Sequence, residues 1–220
     1  MARLIDHTQL RAYATEVDIR ELCEEALTYN FATVTVNPAW TSYCAKKLAD
    51  SPVGVNTCIA IPGLFHLPLG AMTAQMKVEE ARDAARNGAT EIDMVINIGA
   101  LKSGYPSFVE REIAAVVKAV NGVPVKVILE TSYLTRDEKV RVCEMSRNAG
   151  ASFVKTATGF GNGGATVEDI LLMKSTVGDA LGVKAAGGIR TFGDAMAMLK
   201  AGASRIGTSA GIEILEDIPA

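Results

Sequence analysis

Short runs rich in Val, Ile and Thr alternate along this chain with longer segments whose apolar residues recur every three or four positions. The first pattern predicts strands at residues 4–6, 32–37, 55–61, 91–97, 125–130, 152–156, 182–186 and 205–207. The second predicts amphipathic helices at 18–30, 73–87, 107–120, 135–148 and 166–177. Thr135 with Glu138, and Thr166 with Asp169, have the spacing of capping boxes at helix starts. Gly88, Gly122, Gly150 and Gly202 stand where helices should end. Strands alternating with helices imply parallel pairing through right-handed crossovers. No linker or composition break interrupts the alternation, so residues 1–220 read as one domain.

A closed barrel and an open doubly wound sheet both satisfy that order, and the polar residues inside the strands separate them. Within 91–97, Ile92, Met94 and Ile96 form an apolar row that leaves Glu91, Asp93 and Asn97 on the other face. Val125, Val127 and Leu129 likewise alternate with Lys126 and Glu130, and Thr33, Thr35 and Asn37 share a face opposite Val34 and Val36. Strands of a buried open sheet would read as near-continuous Val, Ile and Leu. One apolar face and one ion-bearing face suit an α/β protein of the (β/α)8 or TIM-barrel class whose interior carries a charged site.

Composition narrows the partner. The 220 residues can bury one full core, although they are few for an eight-fold barrel, and 49% hydrophobic with 21% charged residues is ordinary for a soluble enzyme. A net charge of −3, no Lys/Arg run longer than two and 5% aromatic residues give no footprint for nucleic acid. No apolar stretch approaches the roughly 18 residues of a membrane span, and charge arrives too early at the N-terminus for a secretory leader. Cys23, Cys44, Cys58 and Cys143 lack CxxC spacing, which suits reduced thiols in a cytoplasmic protein. With only His7 and His66, no metal site is expected. The expected partner is a small molecule.

Two lysines interrupt apolar strands: Lys155 in Phe153-Val154-Lys155-Thr156 and Lys184 in Gly182-Val183-Lys184-Ala185. A lysine at a strand end commonly snorkels to water. Two on successive strands, with Asp93 projecting from a third, point instead to an amine nucleophile. A free lysine with pKa ~10.4 is protonated at neutral pH and cannot attack a carbonyl. A neighbouring cation and partial burial favour the neutral amine, and Lys184 beside Lys155 would supply that push. Asp93 is then expected to move protons, or else simply to pair with an interior lysine. The glycines form a second constellation. Gly187-Gly188 follows one strand, and Gly207-Thr208-Ser209-Ala210-Gly211 follows the next, where barrels of this class cradle phosphate on backbone N–H groups. Gly159-Phe160-Gly161-Asn162-Gly163-Gly164 could add further amides, although tight turns need Gly as well.

The chain also resembles the deoxyribose-phosphate aldolases over nearly its whole length. The resemblance is carried by Asp6-His7-Thr8, Val36-Asn37-Pro38, Pro68-Leu69-Gly70-Ala71, the run Glu91 to Leu101, Val154-Lys155-Thr156, Thr158-Gly159-Phe160, Lys184-Ala185, Gly187-Gly188-Ile189-Arg190-Thr191 and Arg205-Ile206-Gly207-Thr208-Ser209. It implies a metal-free, cofactor-free class I aldolase that joins acetaldehyde to glyceraldehyde 3-phosphate, giving 2-deoxyribose 5-phosphate. Lys155 then matches the Schiff-base lysine, Lys184 the second lysine, and Asp93 the acid/base carboxylate. Thr8, Asn37, Thr35, Thr158, Gly159, Gly187, Gly188, Gly207 and Ser209 are the expected substrate-binding positions. Thr35 replaces the family's usual cysteine, Ala157, Ala186 and Ala210 replace serines, and the 61–70 loop is longer than the usual Ile-Gly-Phe-Pro-Leu-Gly. These departures fit either an acceptor range shifted to non-phosphorylated or bulkier aldehydes, or neutral drift. Another enamine or iminium carboligase, and a non-catalytic phosphate-binding barrel, are the competing readings. Oligomeric state stays open, a homodimer being one option, as does the role of His66.

Overall fold

The computed structural model describes residues 1–60 and 70–219. Eight strands close into a barrel in chain order: β1 (Ile5–Gln9), β2 (Thr33–Val36), β3 (Gly54–Ile59), β4 (Glu91–Val95), β5 (Val125–Ile128), β6 (Phe153–Lys155), β7 (Gly182–Ala186) and β8 (Arg205–Thr208). Every neighbouring pair is parallel, and β8 returns to β1 through the register Asp6 with Gly207. The helices are α1 (Glu16–Tyr29), α2 (Thr41–Lys47), α3 (Ala74–Arg86), α4 (Ile98–Lys102), α5 (Pro106–Ala119), α6 (Arg136–Asn148), α7 (Val167–Val177), α8 (Phe192–Lys200) and α9 (Gly211–Glu216). This is the (β/α)8 barrel that the strand pattern predicts. Among the described residues, no helix is long and apolar enough to cross a membrane.

Two-residue periodicity sorts each strand. Ile92, Met94, Val125, Val127, Val154, Val183, Ala185 and Ile206 belong to one buried apolar core that includes residues of the surrounding helices. The alternate residues turn inward, and most of them carry charge or hydrogen-bonding groups. Alternate strands supply the layers: Asp6, Asn56, Lys126 and Lys184 come from β1, β3, β5 and β7, and contacts among them run through Lys126–Asn56 and Lys184–Asp6.

The element ends differ from the expected ones for local reasons. β4 stops at Val95 because Asn97 turns away to cap α4, its Oδ1 accepting the Ala100 N–H at 2.9 Å. Asn97 therefore leaves the inward row that its parity suggests. β5 stops at Ile128, since Glu130 adopts a left-handed conformation at φ 57°. β1 runs on to Gln9, hidden in the sequence by the polar His7-Thr8-Gln9, because Thr8 and Gln9 pair with Thr35 and Val36. The capping box at Thr135 is reciprocal. At Thr166 only half of it forms: Thr166 accepts the Asp169 N–H, but the Asp169 carboxylate is taken by Lys139 at 2.6 Å. Gly88, Gly122, Gly150 and Gly202 all have positive φ.

Candidate active site

Lys155 ends β6 and Lys184 lies within β7, and the two are register partners, so both side chains enter the barrel side by side. Asp93 reaches them from β4. Its Oδ2 accepts from Lys155 Nζ at 2.7 Å and from Lys184 Nζ at 2.8 Å. One carboxylate oxygen thus bridges both ammonium groups, so the cation expected to press on Lys155 is partly offset by the carboxylate they share.

Beneath this trio lies a deeper ionic layer. Lys184 Nζ contacts Asp6 Oδ2 at 2.6 Å, and Asp6 Oδ1 accepts from Arg205 at 2.6 Å and from Thr33 Oγ1 at 2.8 Å. Lys126 stands 3.2 Å from Asp93 Oδ1, donates to Asn56 at 2.9 Å and pairs closely with Glu91. Arg205 reaches Glu91 at 3.2 Å and lies over the Phe153 ring. Burial alone would push the Asp6 and Asp93 carboxyls up. Lys184, Lys126 and Arg205 around Asp6 nevertheless hold it well below the usual carboxylate range, and Lys126, Lys155 and Lys184 do the same for Asp93. Burial opposes the charge on Lys184, but Asp6 and Asp93 raise its pKa above the ordinary lysine value. Burial pushes the Cys58 thiol, 3.8 Å from Asp93 Oδ2, up to about 11, which leaves it neutral beside the carboxylate.

Above Lys155 opens a cavity of about 640 Å³ at the carboxyl ends of the strands. Lys155, Thr8, Thr158, Gly159, Gly187, Gly188, Gly207 and Ser209 line it together, whereas Asp93 and Lys184 lie off its wall, below Lys155. Thr35 and Asn37 do not border it. Thr35 is buried and accepts from Asn56 Nδ2 at 3.1 Å; Asn37 donates to the Leu10 carbonyl at 3.2 Å and ties the ends of β1 and β2. Ala186 and Ala210 line the cavity, while Ala157 is buried away from it. His66 and the 61–70 loop, apart from Gly70, lie outside the described residues.

The glycines are tightly interlocked. Gly187 and Gly188 have φ of 95° and 80°, and a Cβ on Gly164 would come within 2.3 Å of the Gly187 carbonyl oxygen. Gly207 serves a second purpose: a Cβ there would meet Lys184 Cε at 2.8 Å, so its missing side chain makes room for that lysine inside the barrel. Asp6, Lys126, Glu91 and Arg205 are interior charges that sequence reasoning does not assign to the site. Alternation marks Lys126 and Glu91 as clearly as Lys155, but nothing local says which layer of the barrel each will reach. His7 also borders the cavity, its Nε2 2.6 Å from Glu25 Oε2. Among the described residues, no group of three or more His, Cys, Asp or Glu side chains is arranged to hold a metal ion.

A closed eight-stranded barrel with a lysine at the floor of a cavity on its carboxyl-end face places the chain among the barrel enzymes, and comparison with known proteins narrows that class to the aldolases. Residues 1–217 match the model of the DeoC/LacD family aldolases, and the chain belongs to that family. The deoxyribose-phosphate aldolase of Caldanaerobacter subterraneus subsp. tengcongensis is 52% identical over 220 residues, covering 99% of this chain and 93% of that relative. A solved structure from Coccidioides immitis, assigned as a deoxyribose-phosphate aldolase, superposes with a TM-score of 0.93 at 43% identity, covering 98% of this chain and 84% of the other. The tetrameric deoxyribose phosphate aldolase of Aeropyrum pernix superposes at 0.87 with 36% identity, covering 98% and 89%. The protein is an aldolase, hence a lyase.

Proposed function

We propose that this protein adds acetaldehyde reversibly to glyceraldehyde 3-phosphate, giving 2-deoxyribose 5-phosphate, through an imine on Lys155. The relatives' activity supports the substrate pair, and one observation supports the nucleophile: of the three lysines in the interior cluster, Lys155 alone borders the cavity. The ion pairs join four cations, Lys126, Lys155, Lys184 and Arg205, to three carboxylates, Asp6, Glu91 and Asp93. Loss of one proton brings that cluster into balance, and a proton leaving Lys155 has the cavity beside it.

The amine of Lys155 attacks the carbonyl carbon of acetaldehyde, and the carbinolamine loses water to form an iminium. Removal of a methyl proton gives the enamine, whose carbon attacks the aldehyde of the acceptor. Water then cleaves the new iminium and restores the amine. Asp93, held against Lys155, is placed to take and return protons at the nitrogen directly or through water. Lys184 keeps the surroundings cationic. The lysine itself activates the carbonyl, so the reaction needs no metal. The backbone at Gly187, Gly188, Gly207 and Ser209 is the proposed seat of the acceptor's phosphate. With four free buried cysteines, a reducing cytoplasmic setting is proposed as well.

Borohydride reduction in the presence of acetaldehyde should leave a two-carbon adduct on Lys155, and Lys155→Ala should abolish both adduct and turnover. Persistent turnover in Lys155→Ala, or an adduct on Lys184 instead, would overturn the assignment. Ala186 and Ala210 on the cavity wall favour a wider acceptor range, since each lost charge-assisted hydrogen bond to a phosphate is worth about 1.5–3 kcal/mol. A strong kinetic preference for the phosphorylated over the unphosphorylated acceptor would refute that extension.

A further inference from the structure

Glu130 is a buried carboxylate that the mechanism above leaves unused. It follows β5, is buried without itself bordering the cavity, and holds φ 57°, ψ 64°, a left-handed conformation that a residue with a side chain rarely adopts. Its Oε2 accepts two hydrogen bonds from the loop after β6: the Thr158 N–H at 3.0 Å and the Thr158 hydroxyl at 2.6 Å. Thr158 Oγ1 in turn accepts the Phe160 N–H at 3.0 Å. Its Oε1 has no hydrogen-bond partner among the described residues and lies against Gly161, where a Cβ would come within 2.7 Å of it. Thr158, Gly159 and Phe160 border the cavity, and Gly159 turns at φ 87° with nothing within 4 Å of where a Cβ would stand. The conformation of one wall of the cavity is therefore set by a side chain that does not itself border it.

We propose that Glu130 is a positioning residue that holds the 158–161 loop in place for capture of the acceptor aldehyde, without acting on imine formation at Lys155. The inference rests on the reading of Lys155 given above. Burial raises the Glu130 carboxyl above its ordinary range, against the pull of its Thr158 hydrogen bonds and of Lys155. Its hold on the loop is thus a matter of fitted geometry around a costly buried acid, which a change of shape on either side should disturb.

Steady-state synthesis with saturating acetaldehyde and varied glyceraldehyde 3-phosphate tests this, alongside borohydride trapping with acetaldehyde alone. Glu130→Ala should raise KM for the acceptor by about tenfold or more, with the trapping rate at Lys155 within about threefold of the parent. Glu130→Gln keeps an acceptor oxygen for Thr158 and should recover most of that loss. Gly161→Ala pushes a methyl into the carboxylate and should raise KM in the same direction. Added to Glu130→Ala, it should change little, because its methyl enters vacated space. Unchanged KM, trapping that falls in step with KM, or effects of the two substitutions that multiply would each overturn the proposal. Should Glu130→Ala fail to fold, Gly161→Ala with Glu130→Gln carries the same test. A parent protein that forms no adduct at all would instead refute the Lys155 reading, leaving the KM comparison intact.

Discussion

Asp93 Oδ2 serves two ammonium groups inside a closed barrel, and that sharing makes each partner's removal costly. Lys184→Leu strips Asp6 and Asp93 of a cation while both stay buried. Breaking a buried pair by removing one partner costs about 3–5 kcal/mol, and a drop of that order in unfolding free energy is expected from urea titration. Turnover should fall heavily, and the pH optimum of the remaining activity should move upward, since Asp93 then serves Lys155 more exclusively and favours its ammonium form. A pH–rate profile with an unmoved optimum would show that Lys184 does not tune its neighbour. Lys155, Lys184 and Asp93 were legible because each breaks an apolar strand in a way that packing does not require. Asp6 and Arg205 were not, because each stands near a strand end, where a charge is ordinarily solvated, and only closure of β8 on β1 brings them together.

Among the elements, the strands' parity was legible throughout, while their ends depended on contacts distant in sequence. Nothing near Glu130 announces that β5 stops short of it; the reason lies in Thr158, on the next strand's loop. Thr166 and Asp169 have capping-box spacing, yet Lys139 on the preceding helix withdraws the acid. The interlock between the loops after β6 and β7 follows the same logic. Gly164 packs on the Gly187 carbonyl, and Ala165 N–H donates to that oxygen at 2.9 Å. Gly164→Ala should force the two loops apart and weaken inorganic phosphate as a competitive inhibitor by about tenfold, while the acetaldehyde adduct on Lys155 still forms. Undiminished inhibition by phosphate would show that these loops do not carry the anion.

For the whole molecule, the interior ions tie the fold to pH with a definite sign. Asp6 and Asp93 have folded-state pKa values depressed below their ordinary 3.8, so the stability they contribute is present above that value and is lost as pH falls through the depressed range. Glu80, Glu112 and Glu130 are raised by burial above their ordinary 4.5, and they act oppositely. Their folded forms take up protons first, so their contribution grows as pH falls through the raised values and is complete below 4.5. The two effects follow one another down the scale. Stability should therefore hold or rise slightly from neutral pH to about 5, then fall steeply below about 4, where the unfolded chain's Asp carboxyls take up protons that Asp6 and Asp93, held ionised by their buried cations, do not. Because these groups are buried, added salt should barely soften the acid limb, even where the screening length is only a few ångströms, as at about 1 M. Urea midpoints across pH, with and without salt, measure this directly. Asp6→Asn should start less stable and show a shallower acid limb. An acid limb that vanishes in salt and is identical in Asp6→Asn would place the effect in surface repulsion, not in the ionic interior of the barrel.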